Sequence, residues 1–129
     1  MKPTILSVLL LMAGIVNAQE NQGIKFEQGL SWAQIKEKAK KENKYIFLDA
    51  FTTWCAPCKM MDKQIFPQQK VGEFFNANFI NVKVQMDKTK NDNEEVKRWY
   101  ADAKMIHEEY KVDSYPTYLF FSSDGSLIH

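Results

Sequence analysis

The sequence predicts an α/β fold, with a central mixed β-sheet flanked by helices. Three observations predict it. Short apolar runs of strand character alternate with stretches of helical period. The run from Tyr45 to Phe51 is apolar apart from Asp49, as expected of a central strand buried on both faces. Directly after it, the chain's two cysteines stand three apart in Trp54-Cys55-Ala56-Pro57-Cys58-Lys59, where a strand hands over to a helix.

The elements follow in order. Lys2, the apolar residues 5–16 and the small residues of Val16-Asn17-Ala18 read as a signal peptide over residues 1–18. The apolar stretch is shorter than the roughly 20 residues that span a bilayer. Residues 19–30 form a polar lead, expected either to be flexible or to hold a short edge strand around Ile24 and Phe26. The domain proper is 31–129. Ser31 and Gln34 form a capping box that opens a helix over about 32–42, with Trp32, Ile35 and Ala39 on its apolar face. After the strand at 45–51, a helix is expected from about 56 to 69. Pro57 is tolerated in its first turn and Pro67 kinks or ends it. A helical extension over 71–78 should turn Phe74 and Phe75 inward. Residues 79–86 read as a strand with Ile80, Val82 and Val84 inward, and 88–93 as a polar loop. Asp92 or Asn93 caps a long helix from about 94 to 110. Pro116-Thr117 leads into a strand over 118–121, and Ser123-Asp124-Gly125 turns into a last strand starting at Leu127, antiparallel to its predecessor.

Composition narrows the function. Loss of Lys2 with the signal peptide leaves 16 basic residues against 16 acidic ones. A near-zero net charge argues against electrostatic capture of nucleic acid or of an anionic membrane. The lysines between 36 and 44 are read as a solvated face, and His107 as a helix-surface residue. Hydrophobic residues make up 45 % of the chain, enough for one core without disulfide staples. Export with only two cysteines then fits a catalytic pair in a compartment that permits disulfides.

The thiolate is the nucleophile in disulfide exchange, and helix-start N–H groups stabilise negative charge. Cys55 is therefore the expected attacking thiol, its pKa lowered from the usual value of about 8.5. Cys58, one turn on and less exposed, is the expected resolving thiol. A permanent structural bridge is the alternative, although one spanning two residues hardly restrains the unfolded chain. Zinc needs four ligands, and His107 and His129 lack ligand spacing. Haem attachment needs a histidine after Cys58, where Lys59 stands. A carboxylate at Asp49, in an apolar strand, must be neutral or paired, so burial should raise its pKa; the alternative is that it points outward at a strand end. Lys83 is either its charge partner or a solvated surface lysine.

With these residues in place the chain resembles thioredoxin-fold proteins, from about Ser31 onward. The motif is Trp-Cys-x-Pro-Cys-Lys at Trp54 to Lys59, with Asp49 six residues before the first cysteine, Lys83 in the next strand, Asp87 closing it, and Pro116-Thr117 opening the strand after. Met61, Phe66, Val71 and Asn78-Phe79 make it similar to secreted bacterial thioredoxin-like proteins and to the C-terminal thioredoxin domain of DsbD. The resemblance implies proton exchange between Asp49 and Cys58, and Lys83 matches the lysine of the family's following strand, so Asp49 and Lys83 are counted with the cysteines as candidate catalytic residues. It also implies a cis peptide at Pro116 and a substrate-contacting rim of Trp54, Ala56, Pro57, Tyr115 and Pro116, in which the Tyr115 backbone offers strand-like hydrogen bonds. Two departures stand out. The stretch 87–116 is longer than in a minimal thioredoxin, and the family's closing helix is absent, so the domain is read as C-terminally truncated.

The expected function is a monomeric, exported thiol–disulfide oxidoreductase, periplasmic or extracellular. It is not inserted in the membrane once the signal is removed and has no cofactor beyond the Cys55–Cys58 dithiol/disulfide. Its partners are disulfide-containing or thiol proteins and a membrane or soluble thiol electron donor. The expected direction is reduction, as in the relatives it resembles. The alternatives are a disulfide oxidase or isomerase, a non-catalytic thioredoxin-fold binding module, and, more weakly, a peroxidase.

Overall fold

A computed structural model of the chain describes residues 23–129. The expected signal segment and the first residues of the lead lie outside the described residues. The elements are α1 (Trp32–Glu42), β1 (Tyr45–Phe51), α2 (Ala56–Met60), a π-helical turn (Met61–Ile65), α3 (Gln69–Asn78), β2 (Phe79–Gln85), α4 (Glu94–Arg98), α5 (Tyr100–Tyr110) and β3 (Thr117–Phe121).

The three strands form one sheet in the order β2-β1-β3. β1 pairs with β2 in parallel and with β3 antiparallel. Antiparallel pairing was expected only between the last two strands, so the direction of β3 against β1 corrects that reading. The chain between β2 and β3 leaves and re-enters at the same end of the sheet. The C-terminal ends of β1 and β2 and the start of β3 thus share one end of the sheet, where Phe51 lies opposite Gln85 and Ala50 opposite Thr117. That end carries the dithiol, Asp87 and the Pro116 loop.

One face of the sheet presents Ile46, Leu48, Ala50, Ile80, Val82 and Val84 to Trp32, Ile35, Trp99 and Ile106, all buried. Period two in the strands and the expected stripe of α1 converge here. The capping box of α1 forms as expected. Ser31 Oγ accepts from Gln34 N–H at 3.2 Å, and Gln34 Oε1 accepts from Ser31 N–H at 2.9 Å. Trp32 N–H donates to Asp102 Oδ2 at 3.0 Å, tying α1 to α5.

The opposite face is aromatic. Phe47 packs against Phe66, Phe75, Phe120 and Tyr118, with Phe26 from the lead segment on the same cluster. The lead is docked along the β2 edge. Phe26 bridges Asn81, Glu27 N–H donates to Asn81 O at 2.8 Å, and Ile24 N–H donates to Phe66 O at 2.9 Å. The expected flexible lead is thus held by backbone bonds from Ile24 onward, and the edge strand is a single bridge.

Four features differ from expectation. The helix expected over 56–69 is α2 plus the π-helical turn, closed by Phe66 N–H on Met61 O at 2.9 Å. The inserted residue delivers Phe66 to the Phe47 cluster, and Pro67 then ends the segment. The long helix expected over 94–110 breaks at Trp99, where burial of the indole takes precedence over a continuous axis. Phe74 is 59 % exposed while Phe75 turns inward, so only one of the pair is core. The strand expected from Leu127 reduces to one antiparallel bridge with Phe121. Among the described residues no helix is long and apolar enough to cross a membrane.

Candidate active site

β1 ends at Phe51, and the next four residues turn the chain into α2. Thr53 fixes that turn. Its N–H donates to Asp87 Oδ1 at 3.0 Å and its hydroxyl donates to Asp87 Oδ2. Asp87, expected only to close a strand, thus ties the end of β2 to the loop before the cysteines.

Cys55 and Cys58 are joined as a disulfide, with their Cα atoms 5.3 Å apart. Cys55 is the N-cap of α2, and its Sγ accepts the Cys58 N–H at 3.2 Å. The expected contrast in exposure does not hold in this oxidised form, since Cys55 is as buried as Cys58. The reason lies in the residues around them. Ala56 and Pro57 stand outward at the helix start, and Trp54 is 68 % exposed. Trp54 packs edge-on against Tyr115, with ring centroids 6.0 Å apart. The Tyr115–Pro116 peptide is cis. Trp54, Ala56, Pro57, Tyr115 and Pro116 are therefore brought together at one end of the sheet.

Asp49 is buried and faces the aromatic side of the sheet, which rejects the outward-pointing alternative. Its Oδ2 lies 3.3 Å from Lys83 Nζ, and Lys83 also pairs with Asp62. The Lys83 ammonium sits over the rings of Phe51 (4.7 Å), Phe26 (5.5 Å) and Phe66 (5.7 Å). Lys83 is thus a partly buried charge held among two carboxylates and three ring faces, not a free surface lysine. Burial pushes the Asp49 carboxyl up to about 6, with the Lys83 charge and hydrogen bond opposing the rise. Asp49 Oδ1 has no hydrogen-bond partner among the described residues, and neither does the buried hydroxyl of Tyr118. Tyr118 is the cross-strand partner of Asp49, and burial next to that carboxylate pushes its phenol up to about 12.

Asp62, Tyr118 and the aromatic ring set around Lys83 were not identified as site residues from the sequence. Asp62 had a signal: it stands four residues after Cys58, close to the same face of the dithiol helix. Tyr118 had none, because only the register of β3 sets it opposite Asp49. Among the described residues no cluster of His, Cys, Asp and Glu has the arrangement to hold a metal ion.

The sequence profile of the thioredoxin-like domain family matches residues 32–129. The chain is 28 % identical over 91 residues to the thiol:disulfide interchange protein DsbD of Pseudomonas fluorescens, covering 70 % of this chain and 14 % of that protein. To DsbD of Actinobacillus pleuropneumoniae it is 28 % identical over 110 residues, covering 84 % of this chain and 17 % of the relative. It thus spans a small part of the length of these curated relatives. A solution structure of a putative disulphide-isomerase from Bacteroides thetaiotaomicron matches with a TM-score of 0.65 at 34 % identity, covering 84 % of this chain and 78 % of that one. The fold is also that of a DsbH oxidoreductase, with a TM-score of 0.68 at 20 % identity, covering 100 % of this chain and 81 % of that one. With the family profile covering most of its length, this chain belongs to the thioredoxin-like domain family.

Proposed function

We propose that this chain, a thiol–disulfide oxidoreductase by its domain and its Cys55–Cys58 pair, reduces disulfides in exported proteins. The observation that carries the reading is the position of Cys55 Sγ as cap of α2, accepting the Cys58 N–H at 3.2 Å. An N–H aimed at this sulfur from a helix start stabilises the thiolate that attack requires.

On this reading the steps are as follows. The Cys55 thiolate attacks one sulfur of a substrate disulfide and expels the other as a thiolate, leaving a mixed disulfide. The substrate lies as an extended segment along the Tyr115 backbone beside Pro116, with Trp54 against it. Asp49 takes the Cys58 thiol proton, and Lys83 balances the carboxylate charge. The Cys58 thiolate then attacks Cys55 sulfur, releases the reduced substrate and leaves the Cys55–Cys58 disulfide. A membrane or soluble thiol donor returns the dithiol, which is the only redox group required. The signal-like residues 1–18 support export, hence work in a periplasmic or extracellular compartment, and the reading takes the protein as a monomer.

Equilibration with glutathione buffers tests the direction. A reduction potential near −270 mV, thioredoxin's, is expected, and one near −120 mV, DsbA's, would reverse the direction. A pair that stays oxidised throughout would mark a structural bridge in a binding module. An isomerase is the second reading, favoured by the likeness to the Bacteroides protein named a putative disulphide-isomerase. Rescue of a scrambled multi-disulfide protein by the reduced form would distinguish it.

A further inference from the structure

The stretch between β2 and β3 walls a pocket of about 270 Å³ next to the substrate rim. Tyr115 forms one side of it, the residue whose ring packs against Trp54. Asp87 forms another, with its carboxylate turned to Thr53 before the dithiol. The outer wall comes from α5, through Tyr100, Ala103, Lys104 and His107, and from Lys88 in the preceding loop. A polypeptide lying along the Tyr115 backbone therefore passes the mouth of the pocket within a few residues of its reacting cysteine.

The groups around the pocket divide by charge. The carboxylates are used internally. Asp87 accepts both the N–H and the hydroxyl of Thr53. Asp92, behind the wall, accepts from Thr89 N–H at 2.9 Å, Thr89 Oγ1 at 2.6 Å and Gln85 Nε2 at 3.0 Å, as well as from the Tyr100 hydroxyl. Asp113 stands near Tyr115 without lining the pocket. The cations are not used in this way. Lys88 Nζ rests 4.6 Å from the Tyr100 ring centroid and forms no ion pair among the described residues. Lys104 has only an exposed contact with Glu108, at 3.8 Å. His107 Nδ1 is engaged by Val112 O at 2.5 Å, and its Nε2 has no hydrogen bond among the described residues. Ala103 and Met86 add apolar surface to the lining of the same pocket.

We propose that this pocket receives an acidic side chain of the substrate polypeptide, a Glu or Asp within about three residues of the reacting cysteine. The carboxylate pairs with the Lys88 and Lys104 ammonium groups while its methylene stem lies on Ala103 and Met86. Electrostatic complementarity of this kind sets specificity and encounter rate more than raw affinity. The stretch between β2 and β3 thereby acquires a role, as the builder of a selectivity site. The proposal rests on the oxidoreductase reading, because it places the substrate on the Pro116 loop.

The test uses disulfide-linked peptides that differ only in having Glu, Gln or Lys at each of the three positions on either side of the cysteine. Reduction by the pre-reduced full chain is followed as kcat/KM. At one of those positions the Glu peptide is expected to exceed the Gln peptide about fivefold at low salt, with the ratio falling as salt rises. The double substitution Lys88→Gln/Lys104→Gln brings the ratio to about one, and Lys104→Glu turns the preference toward the Lys peptide. Equal rates for all peptides, or a Glu preference that survives the double substitution, would overturn the pocket assignment and leave the oxidoreductase reading intact. Failure to reduce any peptide disulfide would overturn both.

Discussion

Asp49 and Lys83 are cross-strand partners in the parallel pair β1–β2, and their side chains meet 3.3 Å apart on the aromatic face of the sheet. A carboxylate in a wall of phenylalanine rings is costly to charge. Only one of its oxygens has a partner among the described residues, so burial prevails over the ion pair and the group titrates near 6. A group at that value is able both to take and to give a proton in the neutral range.

The first prediction concerns stability and pH. The folded Asp49 titrates above its unfolded value of about 3.9. Between roughly pH 4 and pH 6 the folded chain therefore binds more protons than the unfolded one, and this group's contribution to stability falls as pH rises. Above about pH 6 a constant penalty on the order of 3 kcal/mol remains. Denaturant unfolding of the oxidised protein at pH 4 and pH 7.5, compared with Asp49→Asn, measures it. The variant should be relatively more stable at pH 7.5, and parallel pH profiles for the two proteins would contradict the burial argument.

The second concerns Lys83. Its ammonium favours the charged form of Asp49, so Lys83→Met should move the Asp49 titration upward. Less carboxylate is then available near pH 7 to deprotonate Cys58. Single-turnover resolution of a mixed disulfide at that pH is expected to slow by about three- to tenfold, with its pH inflection displaced upward. An inflection that stays in place would remove Lys83 from the proton-transfer machinery.

The third concerns the order of thiols. With Cys58→Ser, attack by Cys55 still occurs but nothing resolves it, so a substrate adduct should accumulate to nearly one equivalent. Cys55→Ser should yield no adduct and no reductase activity. Non-reducing gel shift and mass spectrometry read both. An adduct on Cys58 in the Cys55→Ser protein would invert the assignment.

The fourth concerns the docked lead. A Cβ placed on Gly23 would lie 2.3 Å from Phe66 O and 2.5 Å from Pro67 Cα, both backbone atoms that cannot swing aside. Gly23→Ala should therefore loosen the start of the lead and destabilise the fold by about 1–3 kcal/mol. Earlier cleavage of the lead in limited proteolysis, together with a lower denaturation midpoint, is the expected result; unchanged midpoints would show that the lead docks independently of this approach.

Much of this protein is determined by its sequence alone, because the signals are local. The Ser31–Gln34 capping box depends on residues three apart, the buried strand β1 on a run of apolar side chains, and the placement of Cys55 at a helix start on the handover after that strand. The cis peptide at Pro116 is implied by a resemblance carried by short motifs, and pairing with Asp49 is one of two readings of Lys83. Tertiary structure decided what depends on where distant segments meet. The indole of Trp99 enters the core and breaks a helix that periodicity would continue. The π-helical turn swings Phe66 onto Phe47, and the entry of β3 sets Tyr118 opposite Asp49. Phe26 from the lead, and Asp62 and Phe66 from the π-helical turn and its end, converge on Lys83 from two segments far apart in the chain. Their meeting is governed by close packing of non-local side chains, in which each choice depends on all its neighbours, and no window of sequence contains that information.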